Sequence, residues 1–181
     1  LTVENAYAYS RFARTVLGTN NIDFRSRAAS EEEAEFLASR VAGRGMDVTY
    51  ADLEAAKHVV LVSYEPEDET SVVFLRLRKA VRKHGLKVTT LAPFASRGTQ
   101  KLSATLIPVA PGAEAQTLEA MDLGEGTIIL VGERAACQPG LLSAVSSKAV
   151  LSGARLAWMP RRAGDMGAIA TGCLPGLLPG G

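Results

Sequence analysis

At 181 residues the chain is long enough for one well-filled core with a small appended piece, and its 47% hydrophobic and 22% charged residues are those of a globular domain, which excludes disorder and collagen-like structure. Twenty Lys and Arg against nineteen Asp and Glu leave a net charge of +1, so no global field would draw it to nucleic acid or to anionic lipid. No apolar run approaches the roughly 20 residues of a membrane helix, and the expectation is a soluble segment with no direct membrane insertion. Because it opens at Leu1 and closes on Pro-Gly-Gly, it is also expected to be a piece of a longer polypeptide.

In chain order, Val3 to Leu17 places Ala6, Tyr9, Ala13, Val16 and Leu17 near the i, i+3, i+4 spacing of a helix, and these are expected to be its buried stripe, with Gly18 as the stop. Ser30 followed by Glu33 has the spacing of a capping box, with Glu31 and Glu32 near the positive end of the dipole. Phe36, Leu37 and Val41 would be the buried side of that second helix. Thr49 and Asp52 mark a short capped helix. His58 to Tyr64 is a β-branched run short enough for a strand buried on both faces.

Ser71 to His84 reads as a helix with Val73, Leu77, Ala80 and Val81 on one side and Arg76, Arg78, Lys79, Arg82 and Lys83 on the other, stopped by Gly85. Strands are predicted at Lys87–Leu91, Ala104–Ala110, Thr127–Val131 and Arg155–Met159, with helices at Ala113–Met121 and Leu141–Leu151 between them. Alternation of this kind predicts an α/β fold, an open, mostly parallel, doubly wound (Rossmann-like) sheet with helices on both faces and an N-terminal helical segment. The expected organisation is 1–47 helical, 48–160 Rossmann-like, and 161–181 an irregular Pro/Gly-rich segment. That last stretch carries Met166, Ile169, Leu174, Leu177 and Leu178, so it is expected to dock over the strand ends and against a neighbouring domain.

Chemistry is sparse. No Gly-x-Gly-x-x-Gly or Gly-x-x-x-x-Gly-Lys-Ser/Thr occurs, and the first strand runs into Ser63-Tyr64-Glu65-Pro66-Glu67-Asp68-Glu69, whose four carboxylates repel phosphate. The turn reads as a solvated helix start. Cys137 and Cys173 lack the four-ligand spacing of an iron–sulfur cluster or structural zinc; they are expected to be reduced thiols, the alternative being a disulfide between them. His58 and His84 suit capping or surface roles, and Ser143, Ser146 and Ser147 have no activating base. Gly18-Thr19-Asn20-Asn21 could form an anion nest or simply cap a helix. Arg25 and Arg27 could pair with carboxylates or be solvated. No catalytic, cofactor-binding or metal residue is assigned. Arg161 and Arg162, after the last strand, are the possible interface residues, the alternative being a locally satisfied loop with Asp165 taking one of them.

Three separated stretches carry a resemblance. Glu4-Asn5-Ala6-Tyr7-Ala8-Tyr9-Ser10-Arg11-Phe12-Ala13-Arg14-Thr15-Val16-Leu17-Gly18-Thr19-Asn20-Asn21-Ile22-Asp23 is similar to the helix and turn found across molybdopterin oxidoreductases. Arg155-Leu156-Ala157-Trp158-Met159-Pro160-Arg161-Arg162-Ala163-Gly164-Asp165 and Gly172-Cys173-Leu174-Pro175-Gly176-Leu177-Leu178-Pro179-Gly180-Gly181 narrow it: the chain resembles the large iron–sulfur subunits of bacterial respiratory NADH:quinone oxidoreductase, complex I. The resemblance implies a structural and interface domain without cofactor of its own. It further implies a parent subunit with 4Fe-4S and 2Fe-2S clusters N-terminal to this segment, passing electrons from NADH toward quinone. Partners would be the other subunits of that enzyme and the rest of the same polypeptide, in a peripheral arm on the cytoplasmic side of the bacterial membrane. Active molybdopterin enzymes typically have a small, glycine-bearing turn where this chain has Tyr64 and Glu65. The alternative is a fragment of an active enzyme of formate dehydrogenase or nitrate reductase type, with molybdenum and a pterin guanine dinucleotide in the full-length protein; a free-standing nucleotide-binding module stands third.

Overall fold

The computed structural model describes residues 2–27 and 29–178; Pro179, Gly180 and Gly181, the end of the Pro/Gly-rich stretch, lie outside them. The chain divides into two compact units, Met46–Met159 and Leu1–Gly45 together with Pro160–Gly181.

The Met46–Met159 unit is built on five parallel strands, β1 His58–Val62, β2 Lys87–Ala92, β3 Thr105–Pro108, β4 Thr127–Gly132 and β5 Arg155–Met159, in the order β3-β2-β1-β4-β5. The predicted doubly wound sheet is present. In the centre Val59 aligns with Val88 on one side and Ile128 on the other, and Val62 with Leu91 and Val131. Val59, Val60, Leu61 and Val62 are at most 2% exposed, which is why this run shows no polar alternation. Successive side chains point to opposite faces. Val59, Leu61, Ile128 and Leu130 share a core with Leu53, Val73, Phe74, Leu77 and Ala80, the inward residues of α3 (Tyr50–Ala55) and α5 (Ser71–His84). Full burial of each such branched side chain is worth about 1.5–3 kcal/mol.

Local chemistry places the ends of these helices. Thr49 and Asp52 form the complete capping box that their spacing predicts, and Gly85, at φ 69°, closes α5 with its N–H on the Ala80 carbonyl. Arg76 and Lys79 meet Glu54 at 2.7 and 2.6 Å, so part of the basic side of α5 is a staple to α3. Helices α7 (Glu114–Ala120) and α8 (Leu141–Ser152) supply buried Leu118, Leu141, Leu142 and Val145.

In the other unit α1 spans Val3–Thr15, and α2, Glu31–Phe36, runs into a π-helical turn, Leu37–Val41. Ser30 caps α2 by accepting the Glu33 N–H at 3.1 Å, but the return half of the expected box is absent. The Glu33 side chain, 1% exposed, instead binds Arg25 at 2.9 Å and Arg27. Removing one member of such a buried set costs about 3–5 kcal/mol. Arg25 also grips Asp23 at 2.6 Å; burial raises the Asp23 pKa, but the Arg25 hydrogen bonds win and hold it below its ordinary value.

Two expectations are corrected here. The stretch 161–181 is expected to be irregular, yet Asp165–Ala170 is a helix (α9) with Asp165, Ala168 and Ile169 buried. Its apolar residues recur at helical spacing, and the flanking glycines conceal it. The stretch is anchored to α1: the Cys173 thiol donates to the Ala6 carbonyl at 3.1 Å, and Arg14 donates to the Leu177 carbonyl at 2.7 Å. The expected buried stripe of α1 is also wrong in part. Ala6 and Ser10 are buried and Ala13 half-buried, because α9 and the Cys173 turn pack on that side, whereas Tyr9, Val16 and Leu17 are exposed.

Asp52 offers a pH test. Arg155 lies 2.8 Å from it, and hydrogen bonds from Arg155 and Thr49 hold its carboxyl well below the usual carboxylate range. A depressed native pKa adds stability above the unfolded value of about 3.9, and that stability is lost as pH falls through the native value, because the unfolded chain takes up the proton first. Asp52→Asn should therefore lower the urea midpoint near neutral pH, and the gap to the parent chain should shrink once pH falls below about 3.9. A gap independent of pH in urea titrations would contradict the pairing.

Candidate functional site

In an open parallel sheet, the crevice for a ligand lies beyond the carboxyl ends of the strands where the winding reverses. Here that point falls between β1 and β4. The loop after β1 begins with Ser63 at φ 48°, a left-handed conformation for a residue with a side chain. It passes directly under the end of β4: a methyl group on Gly132 would lie 2.4 Å from the Ser63 carbonyl oxygen and 3.1 Å from Tyr64 Cα. Glycine at 132 is what allows the two chain ends to close on each other.

Tyr64 points into the core, 4% exposed, with its hydroxyl on the Thr70 hydroxyl. Burial drives the phenol pKa far above its ordinary value, so it remains a neutral hydrogen-bonding group. Glu65 caps the short helix α4 (Pro66–Glu69) by accepting the Glu67 N–H at 3.4 Å. Its other carboxylate oxygen accepts from the Ser96 hydroxyl. Ser96 caps α6 (Arg97–Lys101), a helix absent from the expected elements, and the Glu65 carboxylate sits on the bare face of Gly98.

Two of the three remaining acids of this turn are tied as well, while Asp68 is exposed, so the reading of a solvated helix start is corrected for all but that residue. Lys101 pairs with Glu67, and Arg134 with Glu69 at 2.7 Å. The nearby 3-10 turn Glu133–Cys137 leads to Gln138, which joins a polar chain. Ser63 Oγ donates to Gln138 Oε1 at 3.3 Å, Gln138 Nε2 donates to buried Glu114 at 2.9 Å, and Glu114 accepts the Gly112 N–H at 2.7 Å.

These residues do not fit a nucleotide pyrophosphate. The groups left to face phosphate are the Glu65 carboxylate and the Ser63 carbonyl, since Tyr64 turns its phenol into the core, and the bare surface of Gly98 is already covered by Glu65. Glu65 and Tyr64 were legible as obstacles in the sequence. Ser96, Gly98, Gln138 and Glu114 were not, although Ser96 followed by Thr99 is a capping signal.

The other candidate residues of the sequence do not converge there. His58 Nε2 lies 2.9 Å from Thr89 Oγ1, and burial, then Lys87, lowers its pKa. His84 lines a shallow depression with Glu54, Lys57 and Lys87 at the amino ends of the strands. Ser143, Ser146 and Ser147 lie on α8. Cys137 is an exposed and Cys173 a buried free thiol, and among the described residues no group of three or more His, Cys, Asp and Glu could hold a metal ion. Gly18 takes φ 66°, and Arg14 Nε donates to Asn20 at 3.1 Å, so the Gly-Thr-Asn-Asn turn is used as a helix stop. Arg161 and Arg162 are exposed in the turn before α9, where the Asp165 N–H meets the Arg162 carbonyl at 3.2 Å. No described helix is long and apolar enough to cross a membrane.

The closure at Gly132 can be measured. Gly132→Ala should destabilise the chain by about 1–3 kcal/mol, the usual cost of overpacking, while Gly124→Ala, with nothing within 4 Å of the added methyl, should be near neutral. Equal denaturation midpoints for the two variants would show that the β1 and β4 ends do not meet as described.

Comparison with known proteins gives this geometry a family. The chain is 56% identical, over its whole length, to the NADH-quinone oxidoreductase G subunit of Mycobacterium bovis, and 50% identical to the corresponding G subunit of Streptomyces coelicolor. It spans 23% and 25% of the lengths of those two relatives. A Staphylococcus aureus protein provisionally named a formate dehydrogenase is 31% identical over 48% of this chain and 9% of its own length. The profile of the molybdopterin oxidoreductase family matches residues 1–150, and the chain belongs to that family.

Proposed function

We propose that this chain is a structural and interface segment of the large iron–sulfur subunit of a proton-translocating NADH:quinone oxidoreductase. The observation that carries the reading is the end-to-end identity of 56% with a named NADH-quinone oxidoreductase chain. The switch-point geometry supports it: Glu65 covers the bare face of Gly98 and the Ser63 carbonyl lies against Gly132, an arrangement that offers no seat for the guanine dinucleotide arm of an active molybdopterin enzyme. In this reading the parent subunit holds 4Fe-4S and 2Fe-2S clusters outside these 181 residues and passes electrons from NADH toward quinone, within a peripheral arm on the cytoplasmic side of the membrane. The chain's own contribution is shape and contact. Arg161 and Arg162, both exposed, are proposed to meet carboxylates or carbonyls of a neighbouring domain, where guanidinium forks bind bidentately.

The test is isolation of the full-length protein that contains this sequence. It should co-purify with NADH-driven quinone reduction and with iron, and contain no molybdenum and no pterin by metal analysis and by fluorescence after oxidation. Near-equimolar molybdenum and pterin would overturn the reading in favour of a formate dehydrogenase or nitrate reductase type. Calorimetric titration of the 181-residue chain with NADH or GTP should show weak binding or none, and micromolar binding would contradict the filled crevice.

A further inference from the structure

Helix α1 has two apolar sides where a surface helix normally has one. At about 100° per residue, Ala6, Ser10 and Ala13 fall on the side packed against α9, while Asn5, Tyr9, Phe12 and Val16 line up on a second. That second side is open: Tyr9 is 63% exposed, Phe12 49% and Val16 67%, with Leu17 at 62% just beyond the helix. Asn5 at its start excepted, the polar residues sit apart from it. Glu4, Arg11 and Thr15 form the third side, and Arg11 is drawn over the Tyr7 ring at 5.9 Å, away from the stripe. An aromatic and aliphatic stripe one side chain wide and about two turns long, in a unit that already has its own buried side, marks a contact surface.

We propose that the Tyr9–Phe12–Val16 side of α1 is the docking surface for an apolar segment of the same polypeptide outside these 181 residues. The inference rests on the reading of the chain as one stretch of a longer subunit. Relatives matched end to end are about four times as long, since the chain spans 23% of them, and a segment tethered in the same polypeptide reaches this surface at high effective concentration. A lipid surface is the poorer match. Interfacial helices border their apolar side with several Lys and Arg, whereas here the border on one side is Glu4, Thr15 and a single Arg11, itself drawn over Tyr7, and on the other small residues. The stripe carries no charge, which suits the dry, core-like contacts of permanent assemblies.

The experiment uses the full-length protein in its assembled complex, with photo-reactive benzoylphenylalanine placed at position 12 and, separately, at position 9. Illumination should give a cross-link to a peptide of the same polypeptide outside the 181 residues, several-fold above the yield from the same probe at position 11. Cross-links to another subunit, to a second copy, to lipid or to a peptide within the 181 residues would overturn the proposal, as would a yield no higher than at position 11. If neither substituted protein accumulates, hydroxyl-radical footprinting of the unmodified protein decides: Tyr9 and Phe12 should oxidise as slowly as buried Phe36 and Phe74, and fast oxidation overturns the proposal. Both readouts are independent of NADH oxidation. An intrachain cross-link in a protein without quinone reductase activity would therefore overturn the functional reading and leave the docking surface standing.

Discussion

The pairing of β1 with β4, in register and buried on both faces, is the constraint from which the larger unit follows. With Val59 to Val62 between Val88 to Leu91 and Ile128 to Val131, a slip by one residue would exchange the side chains between the two faces. The same pairing brings the last residue of β4 against the first loop residue after β1. With Gly132 there, the Ser63 carbonyl can lie where a side chain would stand, and the crevice between the two strand ends closes on its own backbone.

Carboxylates do much of the remaining work of holding elements in place, and each is neutralised locally. Glu33 gathers Arg25 and Arg27, Asp52 joins a helix cap to Arg155 on the edge strand, and Glu54 joins α3 to α5. The acidic turn after β1 follows the same rule. Five consecutive residues with four acids would repel one another in isolation, but Ser96 and Lys101 of the capped helix α6 and Arg134 of the turn after β4 fix three of the acids. A phosphate entering there would have to displace partners already made and would meet like charge.

Periodicity and capping made the sheet legible. Continuous branched runs such as Val59–Val62, the Thr49–Asp52 box and the stop at Gly85 are local signals, and the structure keeps them. What escaped were features decided by tertiary contact. Tyr9 and Val16 obey helical spacing as well as Ala6 and Ala13 do, and spacing alone does not say which of two apolar sides is covered. Glu33 satisfies the spacing of a box, yet the buried guanidinium groups of Arg25 and Arg27 outcompete the backbone N–H for its carboxylate. In α9, Gly164, Gly167 and Gly172 lower the apparent propensity, although close contact between Gly167 and Val3 explains one of them. At the crevice Glu65 was visible in sequence, but the residues that receive it, Ser96 and Gly98, lie after a different strand.

The stability of a doubly wound sheet comes from its central strands and the helices on its faces, whereas ligand binding uses the loop ends. The two can therefore change independently. In this chain the first is intact, with β1 and β4 almost wholly buried, and the second is rebuilt from inward-pointing Tyr64, a capped Glu65 and the Gly132 approach. Ser63 has a left-handed backbone at the head of the loop, a conformation that glycine adopts without strain and serine does not. Its side chain is bound by Gln138, which in turn is held by buried Glu114, so a loop of strained backbone is fixed by internal hydrogen bonds where a nucleotide-binding member of the fold would leave its backbone amides open to phosphate. A crevice closed in this way leaves a sheet end held by its own backbone and side chains.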